Sequence, residues 1–385
     1  MKNLFFFFAL FLTPTISTAQ DWDHVSGGVD DIVYDMIKFD GELFVGGKFT
    51  GEVKSWDGLT WTHYPSLFGI ASPLTFSIYN NTLCTGGDYP YVGSQSRVYK
   101  LVNGQWEQVG GIFDQSTWSS TKKLITYNNL LISGGRFSSI GGVPIKNIAS
   151  WNGTTWNPMG SGLNDIVDFL EIHNNTLYAT GLFTASGSDT TVKNIARWNG
   201  VNWERFDPGI VFTTAHALKS FQGDLLIGNV WNTINGVNMN GIARWDGINY
   251  TSMGDPAIKS VSEFWEFDGD LFIAASLFGS SPSLTQRAVM KWNGTSWIQI
   301  GSQFNEAIIC LEDYDNVIYC GGQFSQPASH ISRINRFLGI NELNTKDKQL
   351  VKIVDLTGRE TEDKPNTPLI YVYDDGTTEK IFRIE

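Results

Sequence analysis

Asn147-Ile148-Ala149-Ser150-Trp151-Asn152-Gly153-Thr154-Thr155-Trp156 decides the fold. It reads as two short strands joined by an Asn-Gly turn. Ile148, Ala149 and Trp151 lie on one strand and Trp156 on the other. Asn-Gly is the strongest short-range hairpin signal, because a type I′ turn needs positive φ at both central residues. The stretch returns as Ile195-Ala196-Arg197-Trp198-Asn199-Gly200-Val201-Asn202-Trp203, and again at 242–250 and 289–297. A weaker copy starts at Trp56 and a degenerate one at Leu101.

Two more strands precede each hairpin. The first is an apolar run ending in an aromatic residue or His, at 33–39, 73–79, 121–127, 167–173, 215–221, 261–267 and 308–314. Three residues before each end sits an apolar side chain: Met36, Phe76, Leu124, Leu170, Leu218, Phe264 and Leu311. That regularity marks a core position. A tight turn such as Asp40-Gly41 or Asn128-Asn129 follows. The second strand then runs into a pair of small residues, of which Gly46-Gly47, Gly134-Gly135 and Gly321-Gly322 are examples. Small residues there let a neighbouring backbone or ring come close.

The small-residue pairs recur every 40 to 48 residues, seven times. Such a period with four strands per unit predicts an all-β protein, a seven-bladed β-propeller of four-stranded blades. One sheet cannot bury both faces alone, whereas radially arranged sheets cover each other and leave no long free edge. The seventh unit lacks its fourth strand. Trp22-Asp23-His24-Val25 matches the pattern of a fourth strand but has no strands before it. The N-terminus is therefore expected to close the last blade.

Two-residue turns between strands one and two, and between three and four, emerge on one face of such a ring. The longer connections at 65–72, 110–120, 138–146, 184–191, 207–212, 232–239 and 278–285 emerge on the other. Long loops on a rigid scaffold are the usual seat of binding, so that face is the expected site. The glycine pair, the hairpin and the Trp on strand four resemble kelch-family propellers over residues 21–337. Trp-Asn-Gly or Trp-Asp-Gly stands where kelch repeats usually carry Tyr-Asp-Pro, so the chain is kelch-like. The resemblance implies a fold shared by adhesion, scaffold and enzyme proteins, and fold does not fix function.

The chain has 385 residues and a net charge of −12 with no basic run. That argues against nucleic acid or an anionic membrane as partner. Lys2, the apolar run at 4–12 and the small residues Ser17-Thr18-Ala19 have the order of a signal peptide. Residues 1–19 are read as that peptide, with cleavage between Ala19 and Gln20. No other segment is apolar for 18 residues, so no transmembrane segment is expected. Cys84, Cys310 and Cys320 read as small core residues rather than disulfide partners. Around an Asp315-Asn316 turn, Cys320 falls opposite Leu311 and Cys310 faces the other way.

Residues 20–340 are assigned to the propeller and 341–385 to a separate small β-module. Alternating residues at 350–360 and 366–385 predict three short strands. Two runs, Asp355-Leu356-Thr357-Gly358-Arg359 and Tyr371-Val372-Tyr373-Asp374-Asp375-Gly376, precede Lys380 in a basic last strand. They resemble the short form of the C-terminal sorting domain of the type IX secretion system of Bacteroidetes-type bacteria. The resemblance implies that the secretion machinery is a partner, and that the protein is released or held at the cell surface.

Galactose-oxidase-like copper sites, which kelch-type propellers can carry, need two His and two Tyr. The five histidines, His24, His63, His173, His216 and His330, have no metal-ligand spacing. His173 takes the place of an aromatic and reads as packing. No cofactor, metal or catalytic residue is expected. Three residues remain as candidates for ligand binding: Trp118 in an inter-blade loop, His216 two residues before core Leu218, and Trp265 beside core Phe264. The reading is a secreted or cell-surface, non-catalytic binding or adhesion module for polysaccharide or protein. The alternative is a glycan-processing or galactose-oxidase-like enzyme using the long-loop face.

Overall fold

The computed structural model describes residues 21–49, 52–65, 67, 72–88, 95–114, 118–206, 217–230, 233–234, 236–279, 285–335, 350–355, 359–361, 369–373 and 378–381. The chain divides into two compact units, residues 1–336 and 337–385.

In the first unit each repeat is an antiparallel meander. The third repeat runs Ser120–Tyr127, Leu130–Arg136, Ile148–Trp151 and Trp156–Pro158. The first strands of the repeats are Val33–Phe39, Ser72–Tyr79, Ser120–Tyr127, Val167–His173, Leu218–Phe221, Ile258–Phe267 and Ile308–Tyr314. Each packs on the next, and the last packs back on the first. The last sheet is completed from the other end of the chain: Asp23–His24 pairs with Ile331–Asn335, Asp23 opposite Arg333 and His24 opposite Ser332.

Separate sheets number six in this ring, not the expected seven. The second and third repeats share one eight-stranded sheet, because Ser120 at the start of one first strand pairs with Asp88 at the end of the preceding second strand. The long connections also carry structure of their own. Phe113–Asp114, Ser139–Ile140 and Val143–Pro144 form a small sheet, and Thr233–Ile234 pairs with Val237–Asn238.

The small-residue pairs have two distinct jobs. In six repeats the first strand carries a bulge opposite the pair, for example between Val33 and Asp35. A backbone oxygen just before the bulge lies against the second glycine. A Cβ on Gly47, Gly135, Gly181 or Gly322 would lie 2.0–2.1 Å from the oxygen of Ile32, Ser120, Ile166 or Ala307. The first glycine instead faces the next repeat. A Cβ on Gly46 would meet Phe76 at 2.8 Å, and one on Gly321 would meet Val33 at 2.5 Å. The aromatic residues that follow, Phe49, Phe137, Phe183 and Phe324, are buried. The core accordingly lies between repeats: Ile132, Ile148 and Met159 of the third repeat pack in one cluster with Val167, Leu170 and Trp203 of the fourth.

The Trp-Asn-Gly hairpin departs from the two-residue turn. Trp151 pairs with Trp156, so four residues make the connection. Positive φ falls on Gly153 (100°) and not on Asn152. The side-chain oxygen of Asn152 accepts the N–H groups of Thr154 and Thr155, both at 2.9 Å. Asp57, Asn199, Asp246 and Asn293 do the same in their repeats. Only an acceptor is needed, which is why Asn and Asp alternate there. The type I′ geometry belongs to the turn between strands one and two, where both central residues are left-handed: Asn80 at 48° and Asn81 at 55°, for example. The degenerate second repeat also keeps it, at Asn103-Gly104.

The second unit is a three-stranded antiparallel sheet of Leu350–Asp355, Leu369–Tyr373 and Thr378–Ile381, the three strands expected.

Candidate functional site

Apart from the single Ser120–Asp88 pairing, each first strand turns one edge to the ring axis without a strand partner among the described residues. Its N–H groups need other acceptors. Side chains of the preceding repeat supply them. Asp35 Oδ2 accepts from the Phe76 N–H at 2.6 Å, and Thr75 Oγ1 from the Leu124 N–H at 3.0 Å. Glu171 Oε1 accepts from Ser220 at 3.0 Å and Glu263 Oε2 from Leu311 at 2.6 Å. In the fifth repeat Asn229, standing where other repeats have the second glycine, both accepts from and donates to Val261. Lys38 joins the first repeat to the seventh, with its Nζ 2.7 Å from Asp313 and 3.7 Å from Glu312.

The charges near the axis form a network. Burial alone would lower the Lys123 pKa, but the carboxylates of Asp35, Glu263 and Glu171 together raise it. Its Nζ also lies 4.9 Å from the centre of the Phe169 ring. Burial pushes Glu263 up to about 7, against the pull of Lys123. Burial likewise pushes Glu312 up to about 8, with Lys38 drawing it back. Asp35 and Glu171 are raised by burial too. Asp35, Glu171 and Glu263 accept backbone N–H groups of the neighbouring repeat and so hold strands together, while Glu312 accepts the N–H of Asp313 on its own strand and faces Lys38.

The residues singled out from sequence fall in different places. Trp118 is half-buried, with the Arg136 guanidinium 5.0 Å and the Lys122 ammonium 5.7 Å from its ring. It lies just before the first strand of the third repeat, on the side of the long connections. Trp265 is half-buried on a first strand, 5.7 Å from Lys219 Nζ, and its buried indole N–H has no hydrogen-bond partner. The structure does not bring Trp118 and Trp265 together in one cavity. His216, Ala19, Gln20, Gly358, Asp374, Asp375 and Gly376 lie outside the described residues. In the tail, Asp355 Oδ1 accepts the Arg359 N–H at 3.1 Å, while Tyr373 and Lys380 sit on strands. His173 is buried packing, its ring nitrogens bonded to Ser220 and Asn174. Cys84, Cys310 and Cys320 are free and buried, with Cys320 opposite Leu311. Among the described residues no group of three or more His, Cys, Asp or Glu could hold a metal ion, and no helix is long and apolar enough to cross a membrane.

Two cavities lie on the opposite side, at the short turns. One, of about 330 Å³, is bounded by Tyr79, Asn80, Thr82 and Gln108 of the second repeat and by Trp151 and Gly153 of the third. The other, of about 490 Å³, is bounded by Tyr127, Asn128, Leu130 and Met159 with Trp198 and Gly200 of the fourth repeat. Sequence reasoning missed them because it sought a site only among the long connections and not at the hairpin tryptophans of the short-turn side. The signal was there: of the two in each hairpin, Trp156 and Trp203 are buried while Trp151 and Trp198 are only half-buried.

No family model matches the chain, and no curated protein matches it. Among solved structures it is similar to the WD40 beta propeller domain of Doa1, with a TM-score of 0.54 and 14% identity over 83% of this chain and 97% of that one. It is also similar to the computationally designed Ika8 protein, with a TM-score of 0.50 and 16% identity over 95% of this chain and 100% of that one. Identities this low speak for the fold alone. With the closed cycle of sheets, they define the class: the first unit is a β-propeller.

Proposed function

We propose that this protein is a secreted or cell-surface binding or adhesion module for polysaccharide or protein. Its propeller is kelch-like and works as seven four-stranded units, two of which share a sheet. Its tail is a sorting domain for the type IX secretion system. The observation that carries the binding reading is the use made of the axial charges. Asp35, Glu171 and Glu263 accept backbone N–H groups of the neighbouring repeat, which commits them to closing the ring. The seven-unit reading is supported by the cycle of seven first strands. Among the described residues Glu263, raised to about 7, and Glu312, raised to about 8 but facing Lys38, are the groups that would favour a glycan-processing enzyme. The Glu263 oxygen is taken by the Leu311 N–H. The Glu312 carboxylate accepts the Asp313 N–H.

Trp118, with the Arg136 guanidinium and the Lys122 ammonium over its ring, offers an aromatic shelf beside cations on the side of the long connections. The test is an array of glycans and surface proteins probed with the secreted chain and with Trp118→Ala. Binding that falls about tenfold or more in the variant supports this site. Binding by neither, together with turnover of a glycan, would replace the reading with an enzymatic one. Export is tested separately: loss of residues 341–385 should keep the protein inside the cell, and normal export would refute the sorting assignment.

A further inference from the structure

We infer that the two cavities on the short-turn side are equivalent subsites for neutral saccharide units, one repeat apart. Nothing in the proposal for Trp118 requires them.

The cavities are the same locus in successive repeats. Tyr79 and Tyr127 both end a first strand, and Asn80 and Asn128 both open the following turn. Trp151 and Trp198 are the corresponding indoles of the following repeat, and Gly153 and Gly200 their turn glycines. A locus that recurs with the period of the ring suits a ligand that itself repeats.

The lining has the chemistry of sugar recognition. A half-buried indole supplies an apolar plate for the C–H face of a pyranose ring. Around it stand neutral polar groups: in the first cavity the Asn80 amide, the Thr82 hydroxyl and the Gln108 amide, in the second the Asn128 amide and the Ser150 hydroxyl. Thr82 already donates to the Asn80 carbonyl at 3.3 Å and Gln108 to the Gly110 carbonyl at 2.8 Å, so those two offer a ligand acceptors. Lys100, the cation at the first cavity, is already paired with Glu107 at 3.1 Å. An uncharged polyol therefore fits better than an anion. Cavities of roughly 300 Å³ and above, with few polar groups on an aromatic wall, are the usual dimensions of small-ligand sites.

The openness of the locus is not forced by the fold. In the next pair of repeats, Phe206 takes the place of Val109 and Met159. Its ring lies 4.9 Å from that of Trp245, with His173 at 6.2 Å on the same indole. There the plate is covered from within. At the first cavity the turn glycine matters as well. A Cβ built on Gly153 would stand 3.7 Å from the Tyr79 hydroxyl, so a larger side chain would crowd the opening.

The experiment uses the secreted chain and gels containing neutral polysaccharides: β-glucan, α-glucan, mannan, xylan and galactan. The expected result is retardation by at least one of them. Val109→Phe and Met159→Phe copy the filled locus of the fourth repeat without removing a core ring. Each should weaken binding about tenfold, and the pair together by more than either alone, because two linked subsites reinforce each other. Trp151→Ala should match Val109→Phe. Failure of all five polysaccharides overturns the inference. So does retardation that survives the double variant with unchanged thermal unfolding. Retardation lost in Trp118→Ala but kept in the double variant would leave the long-loop reading standing and remove this one.

Discussion

The indole N–H of Trp22 donates to the carbonyl of Ile300 at 3.0 Å, across 278 residues of chain. The bond is not peculiar to the chain end. Trp156 donates to Val109 at 3.0 Å, Trp297 to Met253 at 2.6 Å and Trp61 to Ser26 at 2.8 Å. In each case the Trp that opens a fourth strand reaches the end of the fourth strand before it. Trp22 does for the seventh repeat what Trp297 does for the sixth. Its ring also meets Phe304 edge-on at 5.2 Å. The contact that closes the ring is thus built from the same parts as three internal ones, whereas the buried indole N–H groups of Trp106 and Trp203 have no such partner and Tyr250 stands in the fifth repeat.

Trp22→Ala should cost about 3–5 kcal/mol, the usual range for emptying a buried aromatic site. Trp22→Phe should cost less, about 1 kcal/mol for the hydrogen bond together with part of the lost packing. Urea unfolding measures both, with Trp297→Ala as the internal comparison. An unchanged midpoint in Trp22→Ala would mean that the closing strand contributes nothing to the ring. Removing 21–25 should have a larger effect than the point variant, since it also bares the edge of Ile331–Asn335.

The two glycines of a pair should respond differently to a methyl group. At Gly135 the new Cβ would lie 2.1 Å from the Ser120 carbonyl oxygen, which is backbone and cannot step aside. At Gly134 it meets a methyl of Val167 at 2.7 Å, a side chain that can shift. Gly135→Ala should therefore destabilise by about 3 kcal/mol or more and Gly134→Ala by clearly less. Gly41→Ala is the control for φ alone: nothing lies within 4 Å, and only its φ of 78° is strained, a cost of about 1–2 kcal/mol. Equal losses at Gly134 and Gly135 would contradict the account of the bulge.

Much of this was legible in the sequence because packing repeats and local pattern agree. Met36, Leu124 and Leu170 were marked by spacing and are buried. Trp22-Asp23-His24 was recognised as an orphan fourth strand and pairs as one. The four-residue geometry of Trp151–Trp156 was missed because Asn-Gly signals a tight turn without saying which residue caps it. The shared sheet of repeats two and three depends on one pairing, Ser120 with Asp88, which no periodicity encodes. The axial network was also overlooked. Its residues flank the core position, with Asp35, Lys123 and Glu263 one residue before it and Glu171, Lys219 and Glu312 one residue after. That column is mixed in charge, so it carries no apolar period. Only the ring brings those side chains together.

The same network makes stability depend on pH in a defined direction. Glu263 is raised to about 7 and Glu312 to about 8 from an ordinary value of 4.5, in both cases chiefly by burial. Asp35 and Glu171 are raised as well. A carboxyl whose pKa is higher in the folded chain binds its proton more tightly there. Its contribution is complete below about 4.5 and is lost as pH rises through the folded value. The facing charges are Lys123, Asp35 and Lys219 for Glu263, and Lys38, Asp313 and Glu263 for Glu312. Lys123 is raised above 10.5 and so does not titrate in this window. The melting temperature of the propeller should therefore climb as pH falls from 8 to 6, each group contributing up to about 1.4 kcal/mol per pH unit. Glu263→Gln keeps an acceptor for the Leu311 N–H and removes the titration, as Glu312→Gln does at its own site. The double variant should flatten the profile between pH 6 and 8 and raise the melting temperature at pH 8. A profile that keeps its slope in the double variant would assign the pH dependence to other groups and remove the axial carboxylates as its source.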